Sequence, residues 1–161
     1  MTLDSLEQQP LDRAMQLDTL YTARLWYPEG WSIEIAGSSG TQWQDFYIAE
    51  GECDGKIKGR LRGANHPQRR TDETFVPDFQ GIIETDDGAE IFFSWHGYGR
   101  PRPVGARQIV GFGLHLSSAE DYDFLSQAVC AITGEVRTRR DSSDVEIVVE
   151  VAELIWDGAP E

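Results

Sequence analysis

The stretch Ile83–Trp95, IETDDGAEIFFSW, decides the fold. Asp87-Gly88 supplies two residues tolerant of positive φ between runs of strand-forming residues, as a two-residue type I′ hairpin turn requires. Pairing Asp86 with Ala89 then fixes the register. One face carries Asp78, Gln80, Ile82, Glu84, Ile91, Phe93 and Trp95; the other carries Phe79, Gly81, Ile83, Thr85, Glu90, Phe92, Ser94 and His96. In that register both faces mix polar or charged groups with large aromatics. A lumen that holds a ligand accommodates such a mixture, a few polar anchors among apolar walls.

Working outward, segments of strand character recur at 17–27, 42–53, 55–63, 107–116, 129–137 and 144–156. Between them lie a Gly/Ser-rich connection, PEGWSIEIAGSSG (28–40), a polar loop over 64–74, and a Gly/Pro/Arg loop over 97–106. Ser117-Ser118-Ala-Glu-Asp-Tyr reads as a capping box that opens a short helix over 119–128. The expectation is an all-β antiparallel barrel of about eight strands with one short helix, closed by a terminal hairpin. It spans 15–157, after a loose lead-in (1–14) and before a short tail (158–161).

Composition narrows the function classes. The 161 residues suit one domain with a real core. A net charge of −14 argues against nucleic acid, which demands phosphate neutralisation. No apolar run reaches membrane-spanning length and MTLDSLEQQPLDRA has no apolar leader core, so neither a membrane nor a signal peptide is expected and residence is taken as cytoplasmic. Cys53 and Cys130 lack paired spacing and read as free thiols. Lys56, Lys58, Arg60 and Arg62 alternate with Ile57, Gly59 and Leu61: either an anion-binding stripe or the solvated face of a strand.

Several segments together resemble a bacterial and fungal family called domain of unknown function 3237. They are GECDGKIKGRLRG (51–63), DFQGIIETDDGAEIFF (78–93), YDFLSQAVCAITGE (122–135) and VEIVVEVAEL (145–154). The Thr-Asp-Asp-Gly-Ala block is the specific part. Gln80 stands where the family tends to have Arg, Ser126 where it tends to have Asn, and Asn65-His66 replaces an Asp-Trp pair. The resemblance implies a β-barrel, and similar barrels serve as cofactor-free cyclases and isomerases.

No nucleophile elbow, phosphate loop, dinucleotide fingerprint or His-Glu-x-x-His motif is present, so no cofactor is expected. His66, His96 and His115 lack metal spacing, and no metal is expected. In the register above, Asp78 lies near Trp95 in a half-dry lumen, where a carboxyl acts as general acid or base. A structural ion pair with Arg62 or Arg107 is the other reading of Asp78. A slip of one residue would bring His96 and Tyr98 to the lumen instead. The candidate catalytic residues are therefore Asp78 and His96. The candidate binding residues are Gln80, Phe93, Trp95, Tyr98, Arg100 and His115, with the loop 97–106 over the mouth. The expected ligand is a hydrophobic or aromatic small molecule. It is either transformed by isomerase, cyclase or lyase chemistry or merely held by a non-catalytic barrel. Phe79, Ile83 and Phe92 are expected to pack outward, on the helix or on a second subunit in a homodimer.

Overall fold

The computed structural model describes residues 15–101, 107–139 and 144–156; the expected lead-in and tail lie outside them. Ten strands form in chain order: β1 (Gln16–Gly37), β2 (Gly40–Gly55), β3 (Gly59–Asn65), β4 (Gln68–Arg69), β5 (Phe75–Val76), β6 (Asp78–Thr85), β7 (Glu90–Arg100), β8 (Arg107–Leu116), β9 (Val129–Thr138) and β10 (Val145–Ile155). Eight of them close a ring, in the order β7-β6-β3-β2-β1-β10-β9-β8 and back to β7. Every pairing is antiparallel. Closure removes the exposed sheet edges that a chain this rich in strand would otherwise present. The protein is an all-β antiparallel barrel.

The hairpin that sets the fold is shifted by one residue from the sequence-based register. Glu84 faces Glu90 and Phe79 faces Trp95, and Thr85 donates its N–H to the Ala89 carbonyl at 2.9 Å. The loop is Asp86-Asp87-Gly88, closed by the Gly88 N–H on the Thr85 carbonyl at 3.0 Å. Only Gly88 has positive φ, at 90°. This is a three-residue loop ending in a left-handed glycine, not the type I′ corner. The slip sorts the faces. Phe79, Ile83, Ile91, Phe93 and Trp95 are buried together, while Asp78, Gln80, Ile82 and Glu90 are exposed. The mixed faces of the sequence reading came from the wrong register, and Phe79 and Ile83 pack inward, not outward.

Residues 28–40 are no connection. Past a register shift between Trp26 and Glu29, β1 and β2 continue as a two-stranded arm, from Glu29 opposite Ile48 to Gly37 opposite Gly40. The alternation Trp31, Ile33, Ile35 is strand-forming and outweighs the glycines. The arm keeps these three side chains exposed. On its other side Asp45 is fully buried, accepting from the Ser32 hydroxyl and from Arg69 at 3.2 Å. Arg69 also lies 5.0 Å over the Phe75 ring, so the β4–β5 hairpin leans on the arm.

One end of the barrel is plugged. Glu120–Gln127 form a 3-10 helix, with Leu125 fully buried and the Tyr122 hydroxyl donating to Asp87 at 2.9 Å. Burying that leucine is worth about 1.5–3 kcal/mol. The expected capping box does not form. Ala119 holds the N-cap without a side-chain bond, and the Ser117 hydroxyl donates to the Glu90 carbonyl instead. The basic residues of 56–62 are paired with carboxylates: Lys56 with Asp18 and Arg62 with Glu84 at 2.6 Å, Lys58 with Asp54 at 3.6 Å and Arg60 with Glu50 at 3.7 Å. They form a solvated outer face.

Candidate functional site

A single row of register partners crosses the inner wall: Tyr47 on β2, Asn65 on β3, Phe79 on β6, Trp95 on β7, Gly113 on β8 and Cys130 on β9. Inward pleating puts all six toward the lumen. Gly113 is small because Trp95 lies across it; a methyl group there would sit 2.8 Å from the indole ring and 3.0 Å from Ile132. Trp95 and Phe79, each 5% exposed, meet edge to face at 5.3 Å, and Phe93 tilts against Trp95 at 4.6 Å. These rings make a floor inside the barrel.

Below the floor the lumen is filled. Tyr21 and His115 are buried and joined by a 2.6 Å hydrogen bond between Oη and Nε2, and the Cys130 Sγ lies 3.7 Å from the His115 Nδ1. Burial drives the His115 pKa down to about 4 and raises that of Tyr21. Both are therefore neutral at pH 7 and act as packing with satisfied polar tips.

Above the floor lies a cavity of about 870 Å³ that opens at the unplugged end. Its wall is mostly apolar, with Ile109, Ile132, Val136, Ile147 and Val149, while Arg107, Arg139 and Asp144 also line it. Tyr27 and Tyr47 stack in it at 4.7 Å. Asn65 donates through Nδ2 to the Tyr27 hydroxyl at 2.8 Å and accepts the Asp78 backbone N–H at 3.2 Å. Burial raises the Tyr27 pKa to about 12. At the rim Arg107 lies 4.3 Å over Phe75 and donates to the carbonyls of Glu73 and Gly99, and Arg139 lies 5.4 Å over Trp26. Arg107 thus braces the mouth.

The sequence candidates divide accordingly. Phe93 and Trp95 are inside, Trp95 on the floor and Phe93 beneath it. His115 is inside but under the floor, away from the cavity lining. Asp78 and Gln80 project outward, so neither side chain enters the lumen. His96 and Tyr98 border the cavity at its β7 edge, but their rings belong to the outer surface. His96 bonds Ser94 at 2.8 Å and stacks on Phe112 at 5.4 Å, and Tyr98 is half exposed. Arg100 ends β7, its Nε buried without a partner among the described residues. Of the loop expected over the mouth, residues 97–100 continue strand β7, and 102–106 lie outside the described residues. His66 sits on Phe46 and Gln44, apart from the other histidines. Among the described residues no group of three or more His, Cys, Asp or Glu is placed to hold a metal.

Tyr27, Tyr47, Asn65 and Phe79 were missed. Tyr27 continues the inward series Tyr21, Ala23, Leu25, and Asn65 the series Gly59, Leu61, Gly63. Period-two counting along those strands reaches both.

Fold and site together define a small antiparallel barrel with an open internal chamber. No protein-family model matches the chain, and no curated protein does. Solved structures do share the fold. A β-barrel-like protein from Acinetobacter baumannii superposes with a TM-score of 0.71 at 19% identity, covering 92% of this chain and 99% of that one. A conserved protein of unknown function from Rhodopseudomonas palustris gives 0.72 at 18%, over 88% and 99%. A protein described as an enzyme from Penicillium herquei gives 0.65 at 18%, over 88% and 95%. Among the described residues no helix is long and apolar enough to cross a membrane.

Proposed function

We propose that the chamber takes up a flat, hydrophobic aromatic small molecule and that any chemistry there is cofactor-free proton movement of the isomerase, cyclase or lyase kind. The observation that carries the reading is the open 870 Å³ space above the Trp95–Phe79 floor. A barrel built only for stability fills its lumen, as this one does below the floor. Small-molecule pockets occupy about 300–1,000 Å³, with mostly apolar walls and few polar groups. That the Penicillium herquei protein of similar fold is described as an enzyme supports the reading, and the resemblance to domain of unknown function 3237 belongs to the same proposal. Asp78 and His96 drop out as the acid–base pair, since their side chains face outward. Native mass spectrometry of protein purified without denaturation, with a crystal structure of the same sample, tests the reading. A co-purified aromatic compound seated on Trp95 supports it; a ligand bound only outside the barrel contradicts it.

The homodimer is part of the proposal. The outer row Val110, Phe112, Leu114 and Leu116 on β8 is exposed and uncharged. On a chain of net charge −14, such a row is where a like-charged second copy can approach. Phe112→Glu then shifts the sedimentation coefficient to that of a monomer, and an unchanged coefficient refutes it.

A further inference from the structure

Asn65 is held at both ends of its amide. The Asp78 backbone N–H can only donate, so the oxygen facing it is Asn65 Oδ1. The other end is therefore the Nδ2 amino group, which has no lone pair to offer and must donate to the Tyr27 oxygen. It follows that Asn65 leaves the Tyr27 hydroxyl proton unused. Among the described residues no hydrogen bond consumes that proton, although the Tyr27 ring is fixed by its stack on Tyr47. Tyr27 and Asn65 both line the chamber.

We infer that the Tyr27 hydroxyl, oriented by Asn65, is the fixed donor for a carbonyl or enol oxygen of the ligand, so that the ligand class is a flat aromatic carbonyl compound. This deepens the chamber reading and rests on it. A plain aromatic hydrocarbon leaves the donor unsatisfied in a dry wall, which is costly. An ammonium presents the wrong sign, because it brings only protons and no lone pair to a group that already has a proton to give. A carbonyl oxygen accepts it and gains a second benefit. Asn65 already donates to the same phenol, and chained hydrogen bonds polarise one another, so the Tyr27 proton is a better donor than that of an isolated phenol. The phenol stays neutral across the working range because burial holds its pKa near 12. Tyr27 is the binding residue here and Asn65 the positioning residue.

The test uses two probes of equal shape: methyl naphthyl ketone, and isopropenylnaphthalene, in which a methylene replaces the carbonyl oxygen. Wild-type protein binds the ketone about tenfold tighter, the worth of one hydrogen bond in a dry site. Tyr27→Phe erases that preference without weakening the isopropenyl probe. The carbonyl stretch of the bound ketone, lowered in the wild type by the donated proton, rises again in the variant. Asn65→Leu reduces the preference while leaving part of the infrared shift, because the phenol remains but is no longer oriented. If the wild type binds both probes equally, or if the ketone preference survives Tyr27→Phe, the role of Tyr27 is refuted and the chamber stands. If the wild type binds neither probe, the chamber reading fails and the inference goes with it.

Discussion

Phe79 stands directly across from Trp95 on the paired strands β6 and β7, and their rings meet edge to face at 5.3 Å. That pair divides the barrel into a filled half and an open half. Truncating either ring creates a cavity in the packed side, so Trp95→Ala lowers stability by about 3–5 kcal/mol in urea titration. A double-mutant cycle with Phe79→Ala returns a coupling of about 0.5–1.5 kcal/mol, the range for aromatic pairs. Additive losses contradict the floor.

Gly113 lies under the Trp95 indole, and a methyl group there would be 2.8 Å from the ring. Gly113→Ala overpacks the floor and costs about 1–3 kcal/mol. Trimming the neighbour with Ile132→Val restores part of the loss, as thermal melts of the single and double variants show.

The loop Asp86-Asp87-Gly88 demands a left-handed residue only at its last position. Gly88→Ala costs about 1 kcal/mol through forced positive φ, whereas Asp86→Ala changes stability little. Equal losses at the two sites favour a different turn.

His115 is buried with its pKa lowered by desolvation to about 4, from an ordinary 6.5. The folded state prefers the neutral ring, so the unfolded chain binds the proton first as pH falls. The stabilising contribution is full above pH 6.5, declines as pH falls and is gone below pH 4. Its size is on the order of 3 kcal/mol. Denaturant midpoints at pH 7 and at about pH 4.5 check this. The acid loss of the wild type exceeds that of His115→Gln, and equal losses count against a buried neutral ring.

Much of the fold was legible because strand periodicity is a local signal. The strand character of 17–27, 107–116, 129–137 and 144–156 yields strands directly, and the terminal hairpin follows from the order of the last two. The register of the central hairpin was not read correctly, because Asp-Asp-Gly suits a two-residue or a three-residue loop equally well. The deciding signal was non-local: only one register gathers Phe79, Ile83, Ile91, Phe93 and Trp95 on one face. Trp95 and Phe93 were found because the slip reversed the face of β6 and not that of β7, so the slip did not bring His96 and Tyr98 to the lumen. Asp78 was misplaced by the slip itself. Tyr27 and Asn65 sit on β1 and β3, on either side of β2, and meet only once the registers of both pairings are set, with Asn65 anchored by the backbone of Asp78 on β6.

The central claim is that the space above the Trp95–Phe79 floor receives an aromatic ligand, and filling that space tests it most directly. Ile109 lines the chamber and is only partly buried, so Ile109→Trp adds volume where the wall meets open space. The measurement is the dissociation constant of methyl naphthyl ketone for wild type and Ile109→Trp, beside their melting temperatures. The account predicts at least about a tenfold loss of affinity with an unchanged melting temperature, since a blocked chamber forfeits stacking and burial together. Equal affinities for the two proteins would contradict it.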